Sequence, residues 1–350
     1  MNEILRRHSF SIAFLILVVG AIFIMPESGD GLERFSGFTM GTSYEIQLVA
    51  IPASTSREEI SREVAQLLNE LDRDVFSTYA TDSELSRLNR LEAGIPFVAS
   101  DHLINVLLLA KQIGEESNGA FDVSVGPLVN LWGFGPGEIE EAANIPGDAE
   151  ITAALEKVGI ENLLIDEARS ELRKTSDIYV DLSGIAKGYA VDQIASLLHS
   201  HNVINYFIEV GGEIKVSGQK TNDLDWVPAI EAPRSDSLQV YEVLSNRGER
   251  IALAGSGDYR NFFESGGIRY SHEIDPRTGR PVTHNLAAAY VIDESAAVAD
   301  AYATSFMILG LEQSRALSTR NGIHAFLIYR LDNGEFDHYI SPGFVPYVNN

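Results

Sequence analysis

The chain has 350 residues, 45% of them hydrophobic and 22% charged, which is enough for one large or two modest domains with a buried core and too apolar for disorder. With 50 acidic residues against 26 basic ones, the formal net charge is −24, a surface that repels nucleic-acid backbones and anionic lipid; any phosphate-bearing ligand needs a local site. The absence of cysteine excludes disulfides, thiolate metal ligands, cysteine nucleophiles and lipid attachment through a processed N-terminal cysteine.

Arg6 and Arg7 precede an almost wholly apolar run from Phe10 to Met25, closed by Pro26. The run is short for a membrane span and long for a signal-peptide core, and no clean A-x-A cleavage pattern follows it. Residues 1 to about 30 therefore read as a signal peptide or single N-terminal membrane anchor, with the basic flank placing residues 31–350 outside the cytoplasm.

The body begins with a strand over 38–50, entered through a glycine turn and alternating at Tyr44, Ile46 and Leu48. A helix follows, with Ser56 as its cap and apolar positions at Ile60, Val64, Leu67, Leu68, Leu71 and Val75. Next come a turn with a short helix in STYATDSELSRLNR and a helix around LINVLLLAKQIGEES. GAFDVSVGPLVNLWGFGPG is too rich in glycine, proline and aromatics for a regular element and too apolar for a linker, so it reads as a structured loop closing over something. Beyond it the pattern predicts a helix from 147, strands in ENLLIDEA and IYVDLSG, and a helix from near Ala186. NYFIEVGGEIKVSG reads as strand, glycine turn, strand. DWVPAIEAP, LQVYEVLSN and RIALAGSG read as further strands, DESAAVADAYATSFMILG as an amphipathic helix, and HAFLIYR and FDHYISPGF as terminal strands. Without an even βαβ period, this predicts an α+β (mixed α/β) fold with interleaved sheet and helix subdomains.

No dinucleotide fingerprint, phosphate loop, H-E-x-x-H or G-x-S-x-G elbow is present. What stands out is a series of glycine-rich turns beside charged and hydroxyl residues. In DLSGIAKGYA, Asp181 precedes a turn through Gly184 into a helix whose first turn carries Lys187; free amides and a lysine suit an anion, and the alternative is a merely capped helix. Asp300 and Thr304 lie four apart on one helical face, kept shallow by Ala297 and Ala301. With a loop carbonyl they suit Mg²⁺, or else form an ordinary helix with a back-bonded threonine. In YSHEIDPRTGRPV, His272 can relay a proton near neutral pH, while Asp275 either orients it or shapes the turn. Tyr79 and Phe121 stand outside periodic runs, and each either stacks on a planar ring or packs in the core.

Taken in order, MGTSYEI, STYATDSELSRLN, GAFDVSVGPLVNLWGFG, DLSGIAKGYAVD, EVGGEIKVSG, GSGDYRNFF, YSHEIDPRTGRPV and ADAYATSFMILG resemble the ApbE family of FAD:protein FMN transferases over about residues 36 to 335. The resemblance implies an ApbE-like flavin transferase fold with FAD, as substrate, in a cleft near Met40, Tyr79, Ala120, Phe121, Asp122, Asp181, Lys187 and His272. It implies Mg²⁺ held by the Gly184 carbonyl, Asp300 and Thr304, although the family more often carries alanine or serine at 184. The implied reaction moves FMN from FAD onto a threonine or serine hydroxyl of an acceptor flavoprotein, a subunit of a membrane redox complex, and releases AMP. Lys187 and Mg²⁺ fit the electrostatic role and His272 the base. The implied setting is the periplasmic face of the inner membrane. The rival activities are a Mg²⁺-dependent FAD pyrophosphatase and non-catalytic flavin binding.

Overall fold

The computed structural model describes residues 31–135, 145–234, 239–259, 262–265 and 268–349. The expected signal or anchor, residues 1 to about 30, lies outside the described residues. Among those described, no helix is long and apolar enough to cross a membrane.

The core is one antiparallel sheet of eight strands in the order β1-β2-β6-β7-β10-β15-β16-β17. Strands β1 (Leu32–Thr39) and β2 (Thr42–Val49) form a hairpin whose two turn residues, Met40 and Gly41, both take positive φ, the turn that matches strand twist. The glycine turn expected before β2 is therefore the middle of a hairpin. β6 (Asn205–Val210) and β7 (Glu213–Ser217) form a second hairpin through Gly211 and Gly212, again at positive φ, and β6 pairs with β2. β10 (Ile251–Gly257), β15 (Leu286–Asp293), β16 (His324–Arg330) and β17 (Phe336–Ile340) complete the sheet.

Strand alternation sorts the apolar side chains into two cores. Ile46, Leu48, Ile208, Val210, Ala254, Ala289, Val291 and Leu327 face a helical layer. Val216, Leu253, Tyr290, Ile292, Phe326 and Ile328 face the other way, against Trp226, Ile230, Leu244 and Phe344. On that second side lies the small hairpin of β8 (Ala229–Glu231) and β9 (Val240–Val243).

The helical layer begins with α1 (Arg57–Asn69), where Ser56 Oγ accepts from the Glu59 N–H as expected of the cap. It runs into a π-helical stretch, Glu70–Phe76, that buries Leu71, Val75 and Phe76. α2 (Glu84–Arg90) and α3 (Asp101–Glu116) are likewise capped, by Ser83 and Ser100. A three-stranded sheet, β3 (Pro96–Val98), β5 (Glu171–Lys174) and β4 (Leu163–Asp166), sits beside them. Between come the short α4 (Gly126–Leu131) and α5 (Asp148–Leu155).

α6 (Ala186–Ser200) and α7 (Ala296–Asn321) pack on the sheet and on each other. α7 is longer than its sequence suggests. Gly310, at φ 73° and ψ 175°, breaks it without ending it, and Ser295 caps its start. Asp192 of α6 fixes that start in place: its carboxylate accepts from the Ala296 and Ala297 N–H groups, from Ser295 Oγ at 2.6 Å and from Lys215 Nζ at 2.6 Å. Residues 178–184, expected as a strand, run as irregular backbone. Their partners are the Asn89 side-chain amide, which bonds both the N–H and the C=O of Val180, and the Val123 carbonyl, which accepts from Asp181. Apart from a single parallel bridge between Tyr179 and Val125, the segment joins no sheet.

Candidate active site

The anchoring of α7 on α6 brings the sequence-predicted residues of both helices to one spot. Asp300, 3% exposed, turns Oδ2 to the Gly188 N–H at 3.1 Å. A Cβ at Gly188 would lie 2.3 Å from the Ala296 carbonyl oxygen, so only glycine permits this approach of the helices. One turn along, Thr304 faces Gly184, where a Cβ would lie 3.1 Å from Thr304 Oγ1 and 3.2 Å from the Phe121 ring. Ser256, near the end of β10, lies 3.3 Å from Thr304 Oγ1. Gly184, Thr304 and Phe121 thus lie together, one turn from Asp300 and Gly188.

The anion site expected from free amides at the start of α6 is largely absent. The Ile185 and Ala186 N–H groups donate to the Leu182 carbonyl, and that of Gly188 to Asp300. Positive charge here comes from Lys187, whose Nζ lies 2.5 Å from Glu213 Oε1. Burial works against the Lys187 ammonium, but Glu213, Asp300 and Glu209 outweigh it and hold its pKa above the ordinary lysine value. Burial in turn raises the carboxyls of Asp300 and Glu213, with Lys187 opposing both. Three carboxylates, Glu213, Asp300 and Glu209, thus act on the Lys187 ammonium. Glu213 was not singled out by sequence reasoning; its only signal is its place in EVGGE, directly after the glycine turn.

His272 belongs to a second group. It follows β12 (Ile268–Ser271) and precedes the ribbon of β13 (Ile274–Asp275) and β14 (Arg280–Pro281). Its Nε2 lies 3.6 Å from Glu273 Oε1, and its ring meets Phe134 edge-on. Asp275 is held by the Arg277 guanidinium through two bonds of 2.8 Å and by the Arg277 N–H, so of its two expected roles it takes turn-shaping. Glu273 is the carboxylate beside the imidazole.

The segment 119–134, expected to lack regular structure, carries the short α4 and bridges the two groups. Phe121, 4% exposed, lies against Gly184, and Phe134 lies against His272. Trp132 Nε1 donates to the Gly279 carbonyl at 2.8 Å and its ring stacks on Tyr270. The segment expected to close over something thus closes onto the His272 ribbon. Within it Ala120 is buried, and Asp122 pins the segment to residue 160, accepting from Ser124 N and Oγ and from the Ile160 N–H.

The remaining predicted residues have neighbours of their own. Met40, at φ 48°, donates its N–H to Asp72 at 3.0 Å. Two residues on, Thr42 closes on Gly211 and the Lys187 stem: a Cβ at Gly211 would sit 2.6 Å from Thr42 Cγ2 and 3.2 Å from Lys187 Cδ. Asp181 accepts from the Ser183 N–H, and Tyr79 is 79% exposed, its ring free to stack. A surface hollow of about 220 Å³ at the other end of β10, lined by Arg250, Asp293 and His324 among others, includes none of these residues.

The ApbE family's sequence profile matches residues 40–327. The chain belongs to the ApbE family. It is 39% identical over 345 residues to the FAD:protein FMN transferase of Vibrio cholerae, covering 99% of this chain and 100% of that protein. To the FAD:protein FMN transferase of Salmonella typhimurium it is 36% identical over 346 residues, covering 98% and 97%. Among solved structures, the flavin transferase ApbE from Vibrio cholerae superposes with a TM-score of 0.82 at 39% identity, over 90% of this chain and 99% of that one. The apo form of Pseudomonas stutzeri flavinyl transferase ApbE gives 0.82 at 37% identity, over 92% and 98%. The mixed α/β fold expected from the ApbE resemblance is the fold observed.

Among the described residues no three His, Asp or Glu side chains converge as a metal cluster. The donor set at hand is a buried carboxylate (Asp300), a hydroxyl (Thr304) and a main-chain carbonyl (Gly184), all hard oxygens. With carboxylates in excess over ammonium, that chemistry fits Mg²⁺ completed by water or phosphate.

Proposed function

We propose that this ApbE-family enzyme transfers FMN from FAD to a threonine or serine hydroxyl of an acceptor flavoprotein, with Mg²⁺ bound and AMP released. The observation that carries the reading is the packing of Asp300 and Thr304 of α7 against Gly184 and Gly188 at the start of α6, beside Lys187, in a chain of this family. The acceptor oxygen attacks the phosphorus on the FMN side of the pyrophosphate. The bond from that phosphorus to the bridging oxygen breaks, AMP departs with the bridging oxygen, and the hydroxyl proton passes to a base.

Each residue then has a task. Lys187 offsets charge on the phosphate oxygens, His272 takes the proton, and Glu273 beside it favours the imidazolium that results. Tyr79 and Phe121 flank the flavin or adenine ring, Met40, Ala120 and Asp181 line the cleft, and Asp122 holds the loop that carries Phe121. Gly184 O, Asp300 and Thr304 would hold Mg²⁺, which when bound supplies charge neutralisation at the pyrophosphate. Residues 1 to about 30 carry the domain to the periplasmic face of the inner membrane, where the acceptor is a subunit of a membrane redox complex; the support is the Arg6-Arg7 flank and the apolar run after it.

The test is intact mass spectrometry of a flavin-free acceptor domain bearing a candidate threonine, incubated with FAD, Mg²⁺ and the full chain, with AMP and free FMN followed in parallel. The expected result is a covalent FMN adduct with one AMP released per adduct. FMN and AMP without an adduct, across acceptors modified by a relative, would replace transfer with FAD hydrolysis. No FAD turnover with any metal would leave flavin binding alone.

A further inference from the structure

Glu213 opens β7 directly after the Gly211-Gly212 turn and is 1% exposed. Its Oε1 accepts from Lys187 Nζ, while its Oε2 is enclosed and has no hydrogen-bond partner. Carboxylates that serve only the fold do not look like this. Asp192 receives four hydrogen bonds shared over both oxygens, and Asp122 uses one oxygen on Ser124 and the other on the Ile160 N–H. A half-satisfied carboxylate in the interior is expensive to keep and calls for a role beyond packing.

Lys187 supplies that role. Its four-carbon stem passes Gly211, where the lack of a side chain leaves it room, its ammonium lies 2.5 Å from Glu213 Oε1, and the N–H of the next residue, Gly188, bonds the Asp300 carboxylate at 3.1 Å. We propose that Glu213 is a positioning residue for the reaction assigned above: it holds the Lys187 ammonium away from Asp300, so that Asp300 stays available to a divalent cation and Lys187 stays aimed at substrate. The proposal rests on that functional reading. With Glu213 neutral, Lys187 turns to Asp300 and the two close an internal ion pair across the site.

The test is a double-mutant cycle in the full chain with Glu213→Gln, Lys187→Met and the pair together. Each variant is read by Mn²⁺ affinity without FAD, from the electron paramagnetic resonance of free Mn²⁺, and by kcat and KM for FAD with Mg²⁺. Glu213→Gln is expected to weaken Mn²⁺ binding and lower kcat, each about 10–100-fold, with KM for FAD within about threefold. In the Lys187→Met background the same change moves either quantity by less than about threefold, because Glu213 acts through Lys187. Glu213→Asp, which keeps the charge, recovers part of both losses and guards against a folding defect in the amide. Mn²⁺ affinity within about twofold of the unaltered chain, or single losses that multiply in the pair, would overturn the proposal. If the unaltered chain turns over no FAD while Mn²⁺ affinity still depends on Glu213 through Lys187, the assigned reaction falls and the positioning of Lys187 stands.

Discussion

Two glycines four residues apart at the start of α6 respond differently to the same methyl group. At Gly188 an alanine Cβ would meet Ala296 O at 2.3 Å, Ala296 C at 2.7 Å and Asp300 Cβ at 2.8 Å, two of them main-chain atoms of α7. Ordinary contact begins near 3.4 Å, so α6 and α7 must part by about 1 Å. The overpacking costs about 1–3 kcal/mol, and loss of the Gly188 N–H bond to the Asp300 carboxylate about 1.5–3 kcal/mol. Alanine returns about 1 kcal/mol of helix propensity, leaving a net loss of about 2–5 kcal/mol. For a domain of this size that lowers the melting midpoint by roughly 3–8 °C. At Gly184 the neighbours are side chains, Thr304 at 3.1 Å and Phe121 at 3.2 Å, which yield by a few tenths of an ångström, so alanine is expected to be tolerated. The assay is thermal unfolding by circular dichroism with Mg²⁺-dependent FAD turnover on the same samples. Gly188→Ala should be destabilised and weak in metal response, and Gly184→Ala near the unaltered chain in both. Equal stability of the two variants would refute the claim that the α6–α7 contact sets the site.

Three further outcomes follow from the geometry. Asp300→Ala should abolish metal-dependent turnover, and full activity with trace metal controlled would remove Asp300 from the cation site. His272→Ala should slow transfer by about 10²–10⁴-fold while FAD affinity changes little; a fall in affinity with transfer rate kept would make His272 a binding residue. Burial raises the Glu209 carboxyl from 4.5 to about 7, so the unfolded chain gives up that proton first and stability falls as pH rises between those values. The effect amounts to about 3 kcal/mol across the window; urea unfolding at pH 4.5 and 7.5 should show it in the unaltered chain and a flatter response in Glu209→Gln.

Much of this architecture is legible because its signals are local. Ser56, Ser83 and Ser100 each cap the helix that follows, and period-two burial marks β2 and β6. β15 escapes notice because LAAAYVID is buried on both faces, which removes alternation, and its three alanines favour helix. The opposite failure is IYVDLSG, strand-like in composition, whose backbone is satisfied by Asn89 from 91 residues away. Gly310 reads as a helix end, yet α7 continues past a break where a Cβ would meet the His284 ring at 2.7 Å. At the site, the motifs mark Asp300, Thr304, Lys187 and His272. Pairwise partners stay hidden: Asp275 is spent on Arg277, and Glu213 sits in an unremarkable strand.

The site also resolves an electrostatic conflict set by composition. A chain of net charge −24 must hold a dinucleotide whose linkage is itself anionic. The expected helix-terminal amides are mostly taken by Leu182 O and Asp300, and the Lys187 ammonium is held by Glu213. The carboxylates buried there repel a phosphate, a repulsion that a bound divalent cation would offset. If the proposed function holds, cation and FAD are expected to bind as a coupled pair. Mg²⁺ should then tighten FAD binding by the same factor as FAD tightens Mg²⁺, and Asp300→Ala should abolish that coupling by removing the cation's carboxylate.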